Sequence, residues 1–315
     1  MMLRTSWEAG RRALFRSRRD AVQGRAAARE GGALEYADSG LFLPDIQQYR
    51  TRGASGDYRI YVTLPSAPPP KEGYPVLYIL DGNAWVAGMA EALRLQSRFA
   101  MQSEIEPVLL VAIGYPGDAP FKLGRRAYDF LPRHASGKLS ERFMQGAPWH
   151  QPGGADAFAD FLTGPLREDI AARYSVDPSR QILCGHSFGG FFVLRTFLTR
   201  PSSFRDYIAL SPSLWWDDGE LMKQADALID RLPGDLSASL FIAVGEREAP
   251  DRPKISERMT GDAMAMAAKL RNAGPPNGEV EFRIFEGENH QSLPTAAASA
   301  TLRFIARAGL RGRAL

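Results

Sequence analysis

Hydrophobic positions along the chain switch repeatedly between the period of a strand and the period of a helix. Asp57–Pro65 (DYRIYVTLP) alternates apolar and polar residues, as a strand with one wet face does. Pro68, Pro69 and Pro70 then force a loop. Tyr74–Leu80 (YPVLYIL) and Pro107–Gly114 (PVLLVAIG) are short continuous apolar runs, the pattern of strands covered on both faces. Between them, Trp85–Met101 has helical spacing, with Met89, Leu93 and Phe99 near one face.

A long stretch containing Gly and Pro, Tyr115–Gly154, reads as an irregular loop. From Ala155 the apolar positions Phe158, Phe161, Leu162, Ile170 and Tyr174 return to helical spacing, with Pro165 kinking or splitting that helix. Arg180–Gly185 (RQILCG) reads as a strand, Phe188–Leu198 as a helix and Asp206–Pro212 (DYIALSP) as a strand. A helix near Glu220–Leu232, a strand Ser239–Gly245, a helix Gly261–Asn272, a strand Val280–Phe285 and a closing helix Pro294–Ala308 complete the series. Strands alternating with helices predict an α/β fold with a mostly parallel central sheet and right-handed crossovers. With no repeat and no linker after Gly40, one domain over residues 41–315 is expected.

Composition narrows the functional classes. The net charge is only +3, and the surplus sits at the start, where eight arginines lie between Arg4 and Arg29 against Glu8 and Asp20. Residues 1–40 read as a basic extension in which Trp7, Leu14, Phe15 and Val22 can share one side of a helix. Nothing downstream forms a basic stripe, so no nucleic-acid partner is expected. The lone Cys184 excludes an internal disulfide, and four histidines without an H-E-x-x-H pattern argue against a zinc enzyme. There is no apolar run of membrane-spanning length. Arginines without an apolar core behind them do not make a secretory signal, so a cytoplasmic location is expected, with the periplasm as the alternative if the start lies elsewhere.

The chemistry centres on Gly185-His186-Ser187-Phe188-Gly189, a G-x-S-x-G placed after a buried strand and before a helix. A sharp turn there lifts the serine hydroxyl above the sheet edge, and the helix N-terminus aims N–H groups at the space beside it. A serine nucleophile needs a base, and only His290 follows Ser187 in the chain. The orienting acid should lie after the strand ending at Gly245. Glu246, Glu248 and Asp251 are available there; Glu248 has room to turn back, Glu246 is the alternative, and a Ser–His dyad is a third arrangement. The second oxyanion donor is expected after Leu77–Trp85 (LYILDGNAW), at the amide of Asn83, opposite that of Phe188. The chemistry requires no metal and no organic cofactor.

LYILDGNAW, RYSVDPSRQILCGHSFGGFFVL, ALSPSLWW and FEGENHQSLP resemble the esterase D / ferric-enterochelin esterase group of α/β-hydrolases, from about Leu43 to Phe304. The resemblance implies a serine esterase that hydrolyses ester bonds of a catecholate trilactone siderophore or its iron complex. By motif position it implies Ser187 as nucleophile, His290 as base and the amides of Asn83 and Phe188 as oxyanion donors, and it puts Trp215 and Trp216 near the substrate mouth. It does not choose between Glu248 and Glu246. Lys122, Arg125, Arg126, Arg133, Lys138 and Arg142 of the long loop would form a basic wall suited to an anionic ferric catecholate, with Arg126, beside YDFLP, as the preferred contact. The alternatives are a general carboxylesterase, an S-formylglutathione or feruloyl-type esterase, or an acyltransferase. A binding module without turnover is disfavoured, because a pure binder needs neither Ser187 nor His290.

Overall fold

Chain segments with alternating polarity form the sheet margin, and the continuous apolar runs form its middle. β1 (Ile46–Gly53) and β2 (Gly56–Thr63) make an antiparallel hairpin in which Arg50 faces Arg59. Tyr58, Ile60 and Val62 turn inward along β2, as its alternation predicts. β3 (Tyr74–Leu80) is buried at every position and leads into α1 (Gly82–Arg98) and the short α2 (Ala100–Ser103). β4 (Leu109–Gly114) is likewise buried throughout. Then follow α3 (Leu123–Phe130), α4 (Ala155–Thr163) and α5 (Pro165–Arg173). β5 (Val176–His186) runs directly into α6 (Phe188–Thr199), and β6 (Asp206–Leu210) into α7 (Trp216–Ile229). β7 (Ser239–Gly245), α8 (Pro253–Ala273), β8 (Val280–Phe285), α9 (Leu293–Ala296) and α10 (Ala298–Gly312) close the chain.

This is a computed structural model, and it describes residues 46–53, 55–133, 152–251, 253–273 and 278–312. The basic N-terminal segment, and Lys138 and Arg142 of the long loop, lie outside the described residues.

The strand order is β1-β2-β4-β3-β5-β6-β7-β8, antiparallel between β1, β2 and β4 and parallel from β4 to β8. The expected α/β fold with a mostly parallel sheet is therefore borne out. Alternate side chains of each central strand enter opposite cores. Val76, Tyr78, Leu183, Leu240 and Ile242 face one core, which α3 to α8 cover. Leu77, Ile79, Ile182, Phe241 and Ala243 face the other, with Met89 and Leu93 of α1 and Leu302 and Ile305 of α10. Burying each such aliphatic or aromatic side chain is worth about 1.5–3 kcal/mol, so both faces need helices and neither can be left to water.

Two expectations change, and one that allowed two outcomes is decided. The irregular loop after Tyr115 contains α3. The helix expected from Gly261 starts at Pro253. Pro165 splits rather than kinks its helix: α4 ends at Thr163 and Pro165 opens α5, where its missing N–H costs nothing. Because the central strands are parallel, the segments following β3, β5, β6, β7 and β8 all emerge at one edge of the sheet, where open α/β sheets build their sites.

Candidate active site

Ser187 is the single residue between β5 and α6, and its backbone is held at φ 61°, ψ −117°. Such a conformation is costly for a residue with a Cβ and persists only where the surroundings enforce it. The two glycines beside it explain the tightness of the turn. A Cβ on Gly185 would come within 2.5 Å of the Gly189 backbone, and one on Gly190 within 2.7 Å of the Leu210 carbonyl. The Ser187 N–H donates to Leu210 O at 3.0 Å, and its carbonyl accepts from Phe191 N at 2.9 Å and from Ser213 N at 3.1 Å.

Ser187 Oγ lies 3.0 Å from His290 Nε2, and His290 Nδ1 lies 2.7 Å from Glu248 Oε2. The three residues come from the loops after β5, β7 and β8, with His290 and Ser187 separated by 103 positions. Glu248 has no exposed side-chain surface. Its second oxygen accepts from Gly245 N at 2.7 Å and from Ser211 Oγ at 2.5 Å. A carboxylate with its lone pairs filled this way fixes the imidazole with Nδ1 protonated, leaving Nε2 to accept from the serine. Glu246, the other candidate acid, points elsewhere: it is exposed and accepts from Gly287 N at 2.9 Å, capping the turn before His290. Asp251 is exposed as well.

The two expected oxyanion amides sit in the first turns of α1 (Asn83) and α6 (Phe188), where N–H groups have no partner within the helix. The Asn83 side chain fastens its turn to the end of β4. Its Oδ1 accepts from Tyr115 N at 2.8 Å, and its Nδ2 donates to the carbonyls of Tyr115 and Gly117, both at 3.0 Å.

Arg126 lies beneath this arrangement. The residue is 6% exposed, and its Nε and Nη2 donate to the two Asp81 oxygens at 2.9 and 2.8 Å. Nη2 also reaches the His186 carbonyl at 3.4 Å. The expectation of a contact on the substrate wall is therefore revised: the guanidinium ties the turn that opens α1 to the turn that opens α6. Arg125 is taken up too, its guanidinium 5.2 Å from the ring centroids of both Tyr58 and Tyr115 and donating to Ser55 Oγ. Arg133 is exposed and Lys122 half-buried.

Trp215 is half-buried, while Trp216 is buried in the core below it. Their rings stand 5.8 and 5.6 Å from that of Phe188. Trp215 thus borders the nucleophile turn, and Trp216 supports it from within.

Sequence reading missed three contributors: Ser211 on the acid, Ser213, whose Oγ is 3.3 Å from Ser187 Oγ, and Asp81, the partner of Arg126. The Ser-Pro-Ser of ALSPSLWW was the available signal for the first two. His186 also gains a definite place. Its Nε2 donates to the His290 carbonyl at 2.8 Å, and burial, with the nearby His290 and Arg126, pushes it well below the usual histidine range, so it stays neutral. Burial likewise pushes the Cys184 thiol up to about 12, which removes it as a nucleophile.

Comparison with known proteins places the chain in a family. Residues 52–292 match the model of the Esterase family ("Putative esterase"). The ferri-bacillibactin esterase BesA of Bacillus subtilis is 34% identical over 261 residues, which cover 82% of this chain and 88% of that protein. The siderophore triacetylfusarinine C esterase of Aspergillus fumigatus is 30% identical over 281 residues, covering 82% and 91%. The crystal structure of the BES protein from Bacillus cereus superposes with a TM-score of 0.74 at 29% identity, covering 86% of this chain and 99% of that one. A mostly parallel sheet with the serine elbow at its carboxyl edge and a family match across most of the chain lead to one conclusion: the chain belongs to the Esterase family and is a serine hydrolase of α/β-hydrolase fold.

Proposed function

We propose that the protein hydrolyses the ester bonds of a siderophore, a catecholate trilactone or its ferric complex, with Ser187, His290 and Glu248 as the catalytic triad. The observation that carries the reading is the continuous hydrogen-bonded line from Ser187 Oγ through His290 to Glu248, at 3.0 and 2.7 Å. The siderophore esters named for both relatives support the substrate class.

His290 Nε2 takes the Ser187 proton as Oγ attacks the ester carbonyl. The tetrahedral oxyanion is held by the amides of Asn83 and Phe188, reinforced by the positive ends of α1 and α6. Glu248 keeps Nδ1–H in place and stabilises the imidazolium. The C–O bond then breaks, His290 protonates the departing alkoxide, and the acyl group stays on Ser187. Water, deprotonated at the same Nε2, attacks the acyl-enzyme, and its collapse releases the acid and restores Ser187. Iron enters and leaves as cargo of the substrate.

Incubation with ferric and iron-free trilactone siderophores, read by mass spectrometry, tests the substrate. The expected products carry one added water per ester cleaved. Turnover of p-nitrophenyl acetate with both siderophores left intact would remove the siderophore reading and leave the esterase.

A further inference from the structure

A carboxylate without exposed surface must have its oxygens bonded within the protein, and where those bonds come from determines which way it faces. Glu248 Oε2 is taken by His290. Oε1 is shared between the Gly245 amide, part of β7 itself, and the hydroxyl of Ser211. Among the described residues, Ser211 is the one side chain besides His290 that bonds this carboxylate.

Ser211 follows β6, the strand lying between the one that carries Ser187 and the one that leads to Glu248. Its turn is fastened on both sides. Ser211 N donates to Ala243 O of β7 at 2.7 Å, Leu210 O accepts from Ser187 N at 3.0 Å, and Ser213 N donates to Ser187 O at 3.1 Å. Ser211 is fully buried and held at φ 41°, in the left-handed region where glycine would sit without strain. Backbone energetics alone favour glycine here, so the residue's value lies in its hydroxyl.

We infer that Ser211 is a positioning residue of the triad: its hydroxyl fixes the rotation of the Glu248 carboxylate so that Oε2 faces His290, and its turn holds that carboxylate in register with Ser187. The inference rests on the reading of Ser187, His290 and Glu248 as the triad.

Ser211→Gly removes the hydroxyl and relieves the positive φ. With p-nitrophenyl acetate, kcat falls about tenfold and KM stays within about twofold, the loss expected for one charge-assisted hydrogen bond acting on the chemical step. The thermal midpoint stays at or above that of the unsubstituted protein. Ser211→Ala gives the same kcat at a lower midpoint, and either folded variant decides the matter. In a Glu248→Gln background, the effect of Ser211→Gly shrinks below about threefold, because the hydroxyl acts through that carboxylate. A folded Ser211→Gly or Ser211→Ala variant with undiminished kcat overturns the inference, and so does a loss fully additive with Glu248→Gln. Ser187→Ala, assayed alongside, separates the two readings. If it abolishes turnover while Ser211→Gly does not slow it, only the positioning role falls; if Ser187→Ala still turns over, the triad itself is wrong.

Discussion

Arg126 grips Asp81 with two parallel hydrogen bonds, 2.9 and 2.8 Å long, inside the protein rather than at its surface. Breaking a buried pair from one side strands the other charge, at a cost of about 3–5 kcal/mol. Arg126→Ala is therefore expected to lower the urea unfolding midpoint strongly. Arg126→Lys recovers little, because an ammonium cannot close the planar two-bond fork. A residue acting only by touching substrate would instead raise KM and leave the unfolding midpoint alone. Equilibrium urea unfolding of both variants separates the two roles.

The two acids two positions apart face different partners, so their amide variants should behave differently. Glu248→Gln places a neutral amide against His290 Nδ1 and is expected to cut kcat by a hundredfold or more, on the order of what an orienting carboxylate supplies. Glu246→Gln alters only the exposed cap on Gly287 and should change kcat by less than about threefold. Steady-state kinetics on one small ester suffice, and equal losses in the two variants would contradict the assignment.

Gly114 ends β4 where a Cβ would stand 2.0 Å from Asn83 Oδ1 and 3.0 Å from Asn83 N. Gly114→Ala must push the Asn83 turn away, and the amide expected to hold the oxyanion moves with it. Loss of one such donor costs about a hundredfold in kcat. Inactivation by a fluorophosphonate, which draws on the same donors, should slow in parallel. Unchanged kinetics in a folded variant would show that Asn83 N does not serve the reaction.

Asp206, at the start of β6, is fully buried, and burial raises its carboxyl from 3.8 to about 7. Between those values the unfolded chain releases the proton that the folded one keeps. The unfolded state then binds fewer protons, so stability from this group is present at low pH and is lost as pH rises towards 7. Asp206→Asn has no proton to lose. Its urea midpoint should gain on that of the unsubstituted protein between pH 5 and pH 8; a difference constant across that range would contradict the prediction.

How much of this was readable beforehand depends on how local each cause is. β3, β4 and β7 announce themselves because a strand buried on both faces leaves an uninterrupted apolar run. β1 leaves no such mark: it lies at the sheet margin, none of its residues is buried, and Ile46 and Tyr49 are its only large apolar side chains. α3 was hidden for another reason. It buries Arg126 and Asp129, charged residues that periodicity assigns to solvent, by pairing them with Asp81 and with the hydroxyls of Tyr58 and Tyr115. Ser187 and His290 were legible from a short motif and from chain order. Spacing favoured Glu248 over Glu246 without excluding the latter, since the turn after Gly245 decides which of them doubles back.

β8 is the last strand of the sheet; among the described residues β7 is its one strand partner, and most of its residues are half-exposed. His290 follows it by five positions, whereas Ser187 is rooted at the end of β5 in the middle of the sheet. Fraying of that border needs far less free energy than melting the two cores. The base can thus swing out of reach of a nucleophile that has not moved. Heat or mild denaturant should then silence the enzyme reversibly before the protein unfolds, and its working temperature range should be set by how firmly one outer strand is stitched to its neighbour.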